Sequence, residues 1–343
     1  MKIIFFAPYN IRENNHLALN SAPRIRCRNI YESLQKKCEV ILVGGNTQER
    51  KRGINKLLEK NLNEVDGFYM EKPNCSLKGF DLDFLKKINN ADIPMSMFYR
   101  DAHWKFPNYA KTLFQKLKYN RKFNKSTQQV NFFLKTFHSI YSPTKEFAEF
   151  MGFNNKSLLP PAGNIYPQKK RNEIGVLFSG AQKNGFEKLL SANKILLSQG
   201  FRYNFYLVTQ DGDFVKPDNF SMYPIMEDKL INKVHIGIIP LNRTKYYSMA
   251  FSLKFMQYLS YGIPVICQRL PAFERYDEKY NICRFFDGTS EDLAEKIKEL
   301  VQNKSLRNNM SQNALTAIVT KENWSDRIQT ILSDFEKIKN RSV

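Results

Sequence analysis

Long apolar runs are missing from this 343-residue chain. None approaches the roughly 20 residues needed to cross a bilayer, so the sequence offers no transmembrane helix. The opening stretch, MKIIFFAPYN, has one lysine and a short apolar run that breaks at Pro8. A secretory leader needs a longer apolar centre and a small-residue cleavage site, so the stretch reads as a first strand. Cysteine is sparse: Cys27, Cys38, Cys75, Cys267 and Cys283 are odd in number and lack paired spacing. Reduced thiols in a cytosolic protein explain such a set better than a disulfide framework does. Histidine is sparser still, and His16, His103, His138 and His235 show no metal-ligand spacing. No G-x-G-x-x-G follows the first strand, which argues against a dinucleotide-dependent oxidoreductase.

Acidic residues are also in deficit. Lys and Arg number 53 against 33 Asp and Glu, a net charge of +20. That excess attracts polyanions: nucleic acid, an anionic membrane surface or phosphorylated substrates. The imbalance is local, because Ala102 to Lys145 holds nine Lys or Arg and no Asp or Glu. Interleaved with them are Trp104, Phe106, Tyr109, Phe114, Tyr119, Phe123, Phe132, Phe133 and Phe137. Basic residues alternating with large apolar ones suit a lipid interface. The same mixture fits a solvated helix pair whose aromatics form core. Stacking on single-stranded nucleic acid is the least favoured of the three readings.

What is present is an ordinary globular composition, 42% hydrophobic and 25% charged. The length exceeds what one core supports and implies two domains. The first half alternates strand and helix: Lys2–Ala7, a helix over Pro23–Lys36, then strands at Glu39–Val43, Ile93–Tyr99 and Ser139–Tyr141. A helix over Thr144–Met151 closes at Gly152, and Lys156–Leu159 reads as a short strand. Pro160-Pro161-Ala162-Gly163, Pro167 and the Lys169–Arg171 run make the best linker. The pattern then restarts with strand Ile174–Ser179, helix Gly185–Leu197, strand Asn204–Thr209 and a helical piece at Lys229–Asn232. Cys283–Phe286 is a strand, Thr289 caps a helix through Asp292, and helices follow at Ser305–Val319 and Trp324–Lys339. This is an α/β chain with two Rossmann-like domains. Asp211-Gly-Asp213, beyond a strand of the second half, reads as a turn and not as a metal site.

The most informative stretch is Ser252–Ile266, SLKFMQYLSYGIPVI. Phe255, Tyr258 and Leu259 share one helix face, Gly262 supplies a left-handed stop, and Val265-Ile266 start a buried strand. Before it come a strand-like run, Val234–Leu241, and a polar, basic loop, Asn242–Ser248. A strand, a loop and a helix N-terminus in that order can hold an anion. The free N–H groups at Ser252, Leu253 and Lys254 would point at a phosphate, with Lys254 adding charge and Arg243 and Lys245 nearby in the loop. Read as surface chemistry alone, Lys254 is simply an exposed lysine.

This segment resembles the nucleotide-sugar signature of GT-B glycosyltransferases, in particular the large family-4-like group. The apolar frame, Gly262, Pro264 and Val265 carry the likeness. The family usually places two glutamates eight positions apart, and by register those positions are Met249 and Gln257 here. Gln257 retains the means to bind ribose hydroxyls; Met249 does not offer the expected sugar contact. FSGAQKNG at Phe178–Gly185 is similar to the loop that opens the family's second domain, through Gly180, Lys183 and Gly185, with Ala181 where an arginine is usual.

The resemblance implies two domains facing across a cleft, at 1–165 and 166–322, with C-terminal helices packing back on the first domain and a crossover helix at 323–343. It implies a transferase that uses a nucleotide diphosphate sugar as donor, with no cofactor and no metal. Donor-binding residues would be Gly180, Lys183, Arg243, Ser252, Leu253, Lys254 and Gln257. Asp101 and His103, just beyond strand Ile93–Tyr99, would be catalytic, Asp101 as general base if configuration inverts. Ser21, Arg24 and Arg100 would bind the acceptor, a glycan or lipid-linked sugar. Asp101–Arg100 or Asp101–His103 would equally form a surface pair, and Arg24 and Arg28 an exposed helix face. With the basic aromatic stretch, the expected location is the cytoplasmic face of the cell membrane. An inactive relative serving as partner or chaperone of an active transferase is the second reading.

Overall fold

The computed structural model describes residues 1–11, 21–72, 76–106, 112–153, 157–167, 171, 173–181, 185–209 and 216–341. The chain separates into two units, Met1–Pro160 with Trp324–Val343, and Pro161–Asn323.

The first unit is built on a parallel sheet of β1 (Lys2–Ala7), β2 (Glu39–Gly44), β3 (Gly67–Glu71), β4 (Met95–Phe98) and β5 (Ser139–Tyr141). Its order is β2-β1-β3-β4-β5, with Ile4 opposite Ile41 on one side and Phe68 on the other. Ile3 to Ala7 are wholly buried, as a continuous apolar strand covered on both faces should be. Helices α1 (Ala22–Gln35), α2 (Thr47–Leu58), α3 (Gly79–Asn90), α4 (Leu113–Thr136) and α5 (Lys145–Met151) connect the strands. Gly152 closes α5 in the left-handed conformation. Helix α2 begins with a capping box: Asn46 Oδ1 accepts from the Glu49 amide, and Glu49 Oε2 accepts from the Asn46 amide.

The second unit holds β6 (Gly175–Ser179), α6 (Phe186–Ser198), β7 (Asn204–Val208), β8 (Phe220–Tyr223), α7 (Asp228–Ile231) and β9 (Ile236–Ile239). These are followed by α8 (Lys245–Met249), α9 (Leu253–Ser260), β10 (Val265–Gln268), α10 (Pro271–Tyr280), β11 (Cys283–Phe286), α11 (Ser290–Gln302) and α12 (Lys304–Thr320). Its parallel sheet runs β11-β10-β9-β6-β7-β8. Period-two alternation divides the core. Leu177, Val265 and Cys267 pack with Phe255 and Tyr258 of α9 and Phe273 of α10. Val176, Phe178 and Ile266 pack with Leu189 of α6 and Ile297 of α11 on the other face.

Both units are therefore Rossmann-like, and each sheet reverses direction once. The chain builds outward from β6 through β7 to β8, then crosses to β9 on the opposite side. The crevice outside the carboxyl ends of β6 and β9 is the switch point where ligands bind in open α/β sheets. In the first unit the corresponding point lies between β1 and β3.

Of the two C-terminal helices, α12 packs on α9 in the second unit, while α13 (Trp324–Arg341) belongs to the first. There α13 lies on α1, and Tyr141 donates to Asp334 Oδ2 at 2.7 Å. A Cβ at Gly67 would meet the Phe335 ring at 2.8 Å, so only glycine lets this helix seat against β3. Among the described residues of the basic stretch, one long helix, α4, lies between a short helical turn at His103–Lys105 and β5, and no helix pair forms. Of the proposed strand Lys156–Leu159, Leu158 makes one isolated bridge to Ser142, and Lys156 lies outside the described residues. Asp211 and Asp213 also lie outside them.

Candidate functional site

At the second unit's switch point the local sequence dictates the shape. Strand β6 ends in Ser179, and Gly180 follows with φ of +142°, a conformation that side-chain-bearing residues rarely adopt. Any side chain at 180 would also collide with the ammonium of Lys254, which lies against this glycine. Gly185, with φ of +89°, starts α6; a Cβ there would meet the Pro240 carbonyl carbon at 3.0 Å. The loops after β6 and β9 thus run against one another and frame the crevice. Lys183 lies outside the described residues.

Lys254 reaches this place because α9 is held in register. The Tyr258 hydroxyl, one turn further along α9, accepts from the Ser179 amide at 3.0 Å. Its ring fills the space left by Gly237 on β9. Leu253 is buried, and Ser252 is the N-cap but accepts no hydrogen bond through its side chain. The Leu253 and Lys254 amides, at the start of α9, lie at the positive end of its dipole, while the Phe255 amide donates to the Ser252 carbonyl. Burial pushes the Lys254 ammonium down to about pKa 8 from its ordinary 10.5. A desolvated cation and the N-terminus of a helix are the two elements from which anion sites are commonly built.

Gln257 is half-buried on α9, and Met249 is buried at the end of α8. Gly262 follows α9 with φ of +62°, the left-handed stop that the sequence implied. Arg243 is exposed and lines a pocket of about 560 Å³ at the carboxyl ends of β9, β10 and β11, beside Gln268 and Arg269.

In the first unit, Arg100 follows β4 and donates to the Tyr9 hydroxyl at 2.9 Å. Tyr9 and nearby anionic groups hold the Arg100 guanidinium above its ordinary range against the opposing effect of burial. Asp101 and His103 do come together: Asp101 Oδ2 lies 3.2 Å from His103 Nε2, and Asp101 Oδ1 accepts from the His103 amide at 2.9 Å. The Asp101 carboxylate is largely buried and the imidazole is exposed, so this pair can pass a proton outward. Ser21 caps α1 without a side-chain bond, and Arg24 is half-buried on its first turn.

Sequence reasoning missed the buried group behind these residues. Arg26 Nε bonds both oxygens of Glu71, at 3.1 and 3.2 Å, and Tyr69 donates to Glu71 at 2.8 Å. The Arg26 guanidinium lies 3.5 Å from the Phe98 ring centre, and its terminal nitrogens have no hydrogen-bond partner among the described residues. The helical spacing of Arg24 and Arg28 was visible in the sequence. Nothing there marked Arg26 as the inward-facing one.

Residues 187–333 match a family model described as glycosyl transferase-like. The structure is similar to sucrose-phosphate synthase from Thermosynechococcus elongatus, with a TM-score of 0.65 and 10% identity over 99% of this chain and 100% of that one. It is similar to WaaG, a glycosyltransferase involved in lipopolysaccharide biosynthesis, with a TM-score of 0.60, 12% identity, and coverage of 96% and 98%. HepE from Anabaena, solved in complex with UDP-glucose, gives 0.61 at 12% identity, covering 98% and 99%. The chain has the GT-B fold. Comparison with curated proteins gives no match. Most of the second unit of this GT-B chain, including Lys254, Gln257 and the β9–β10 crossover, falls inside the matched glycosyl transferase-like region.

Proposed function

We propose that the chain transfers a sugar from a nucleoside diphosphate donor to a glycan or lipid-linked acceptor at an anionic membrane surface on the cytoplasmic side. The observation that carries this reading is the Lys254 ammonium, desolvated against Gly180 at the β6–β9 switch point. Breaking the bond between the anomeric carbon and the β-phosphate oxygen leaves negative charge on a diphosphate. Lys254 and the α9 amides supply fixed positive potential there. We take this charge to serve in place of a divalent metal, so activity should survive a chelator. Gln257 would bind ribose hydroxyls.

On the first unit, Arg100, Ser21 and Arg24 would hold the acceptor. If configuration inverts, the acceptor hydroxyl attacks the anomeric carbon while Asp101 takes its proton and His103 relays it to solvent.

The membrane part rests on α4. Leu113 and Phe114 are each 76% exposed and Leu117 is 54% exposed, with Lys116, Lys118, Arg121, Lys122 and Lys125 exposed along the same helix. Apolar anchors among cations bind an anionic interface. Among the described residues no helix is long and apolar enough to cross a membrane.

A thermal-shift screen against UDP, GDP, CMP and dTDP compounds, repeated with Lys254→Met, tests the donor site. At least one nucleotide should stabilise the protein, and the variant should lose that response. A chain that binds no nucleotide would instead be a non-catalytic partner of an active transferase.

A further inference from the structure

We infer that the pocket at the carboxyl ends of β9, β10 and β11 binds carbohydrate, one or two pyranose rings of a glycan. The choice of ligand class rests on the glycosyltransferase reading, and the pocket adds to it a second place of sugar contact within the same unit. Its volume of about 560 Å³ lies in the range of small-molecule sites. Gln268, the last residue of β10, lines it and is only 7% exposed, yet its Oε1 has no hydrogen-bond partner among the described residues. A buried amide oxygen left unpaired requires a donor from elsewhere. Its seat is built: Gly288 has φ of +109°, and any side chain there would strike the Gln268 amide.

The rest of the lining selects the donor. Asp287 and Asp292 sit among Arg243, Arg269 and Lys296, a lining of mixed charge with no single-sign field, and an unprotonated anion has no hydrogen to offer Gln268. Both carboxylates are held in place, Asp287 Oδ1 accepting from Thr289 at 2.8 and 2.6 Å and Asp292 Oδ2 from the Asp287 amide at 2.8 Å. Arg243 and Arg269 are exposed donors, and the Arg269 guanidinium lies 4.7 Å from the centre of the Phe285 ring. Paired acceptors, guanidinium donors and an aromatic face together match a ring that carries many hydroxyls. A bare phosphate would bring no hydrogen to the Gln268 amide oxygen, whereas each sugar hydroxyl can donate to it and accept from a guanidinium.

Saturation-transfer NMR on the full chain tests this with three probes: the methyl β-glycosides of glucose, galactose and N-acetylglucosamine. At least one should receive saturation, should keep it when UDP is in excess, and should lose at least fivefold in Gln268→Leu. Arg269→Ala changes an exposed residue and should lower the signal at least twofold, which keeps the test open if the Gln268 variant does not fold. Three results would overturn the inference. One is no signal from any glycoside while UDP still binds, an outcome that leaves the donor site standing. Another is a signal abolished by UDP or by Lys254→Met, which puts the sugar in the β6–β9 crevice. The last is a signal unchanged in both pocket variants. Gln268-dependent binding in a chain that ignores every nucleotide would support the pocket and remove the donor reading.

Discussion

Raising the pH should release the nucleotide from this protein through one residue, Lys254. Its ammonium has a pKa of about 8 in the free protein against an ordinary 10.5. At 1.36 kcal/mol per pH unit, burial disfavours the charged form by about 3 kcal/mol. A bound diphosphate reverses that penalty and raises the pKa of the complex. Affinity is then nearly constant below pH 8 and falls above it, by about tenfold between pH 7 and 9. Calorimetry with UDP in buffers of different ionisation enthalpy should show uptake of about 0.8 proton at pH 8.5.

Lys254→Met should bind UDP at least tenfold more weakly at pH 7, and any residual affinity should lack the proton uptake. The same change should help the unliganded fold. Because the folded pKa lies below the unfolded one, the unfolded chain holds the proton more tightly between pH 8 and 10.5. Apo stability therefore rises across that window, and at pH 7 the methionine variant should be more stable by about 1–3 kcal/mol in urea titration. A wild-type affinity that is flat from pH 7 to 9, or a methionine variant that binds as well as the parent, would refute the reasoning.

Gly180→Ala combines a positive φ with a collision against Lys254. It should cost about 1–3 kcal/mol and abolish the thermal shift from nucleotide; retention of both stability and binding would place the diphosphate elsewhere. Glu71→Gln leaves the Arg26 guanidinium buried without its anion, and chemical denaturation should show a loss of about 3–5 kcal/mol. A loss under 1 kcal/mol would mean that Arg26 escapes to solvent. Replacing Leu113, Phe114 and Leu117 together by Ser touches only exposed positions. It should leave unfolding unchanged yet weaken sedimentation with anionic vesicles at least tenfold; unaltered sedimentation would assign the basic helix another task.

The parts of this fold that could be read from the sequence are those with local, redundant signals. Lys2–Ala7 is an uninterrupted apolar run, and Ser252–Ile266 combines helical spacing with a glycine stop and Pro264 before a β-branched strand. Helices α2, α3 and α10 escaped notice, and the segment read as the loop Asn242–Ser248 contains α8, which Thr244 caps through the Tyr247 amide. The Asn46–Glu49 capping box and the proline at the start of α10 were available as signals, but the charged, weakly apolar segments between gave no clear period. Strand β3 is buried throughout, although GFYME has neither a long apolar run nor alternation. At the site, Lys254 was legible because a helix N-terminus is a local feature. Its seat against Gly180, the Arg26–Glu71 pair and the unpaired Gln268 join residues far apart in the chain, and they exist only once the strands are ordered in their sheets. Arg243 was grouped with Lys254 by proximity in sequence, whereas the structure places it on the pocket that Gln268 lines.

The most direct measurement is a crystal structure of the full chain with UDP. The diphosphate should lie at the N-terminus of α9, within hydrogen-bonding reach of the Lys254 ammonium beside Gly180. A diphosphate bound elsewhere, with Lys254 still packed on the glycine and making no contact to it, would contradict the account.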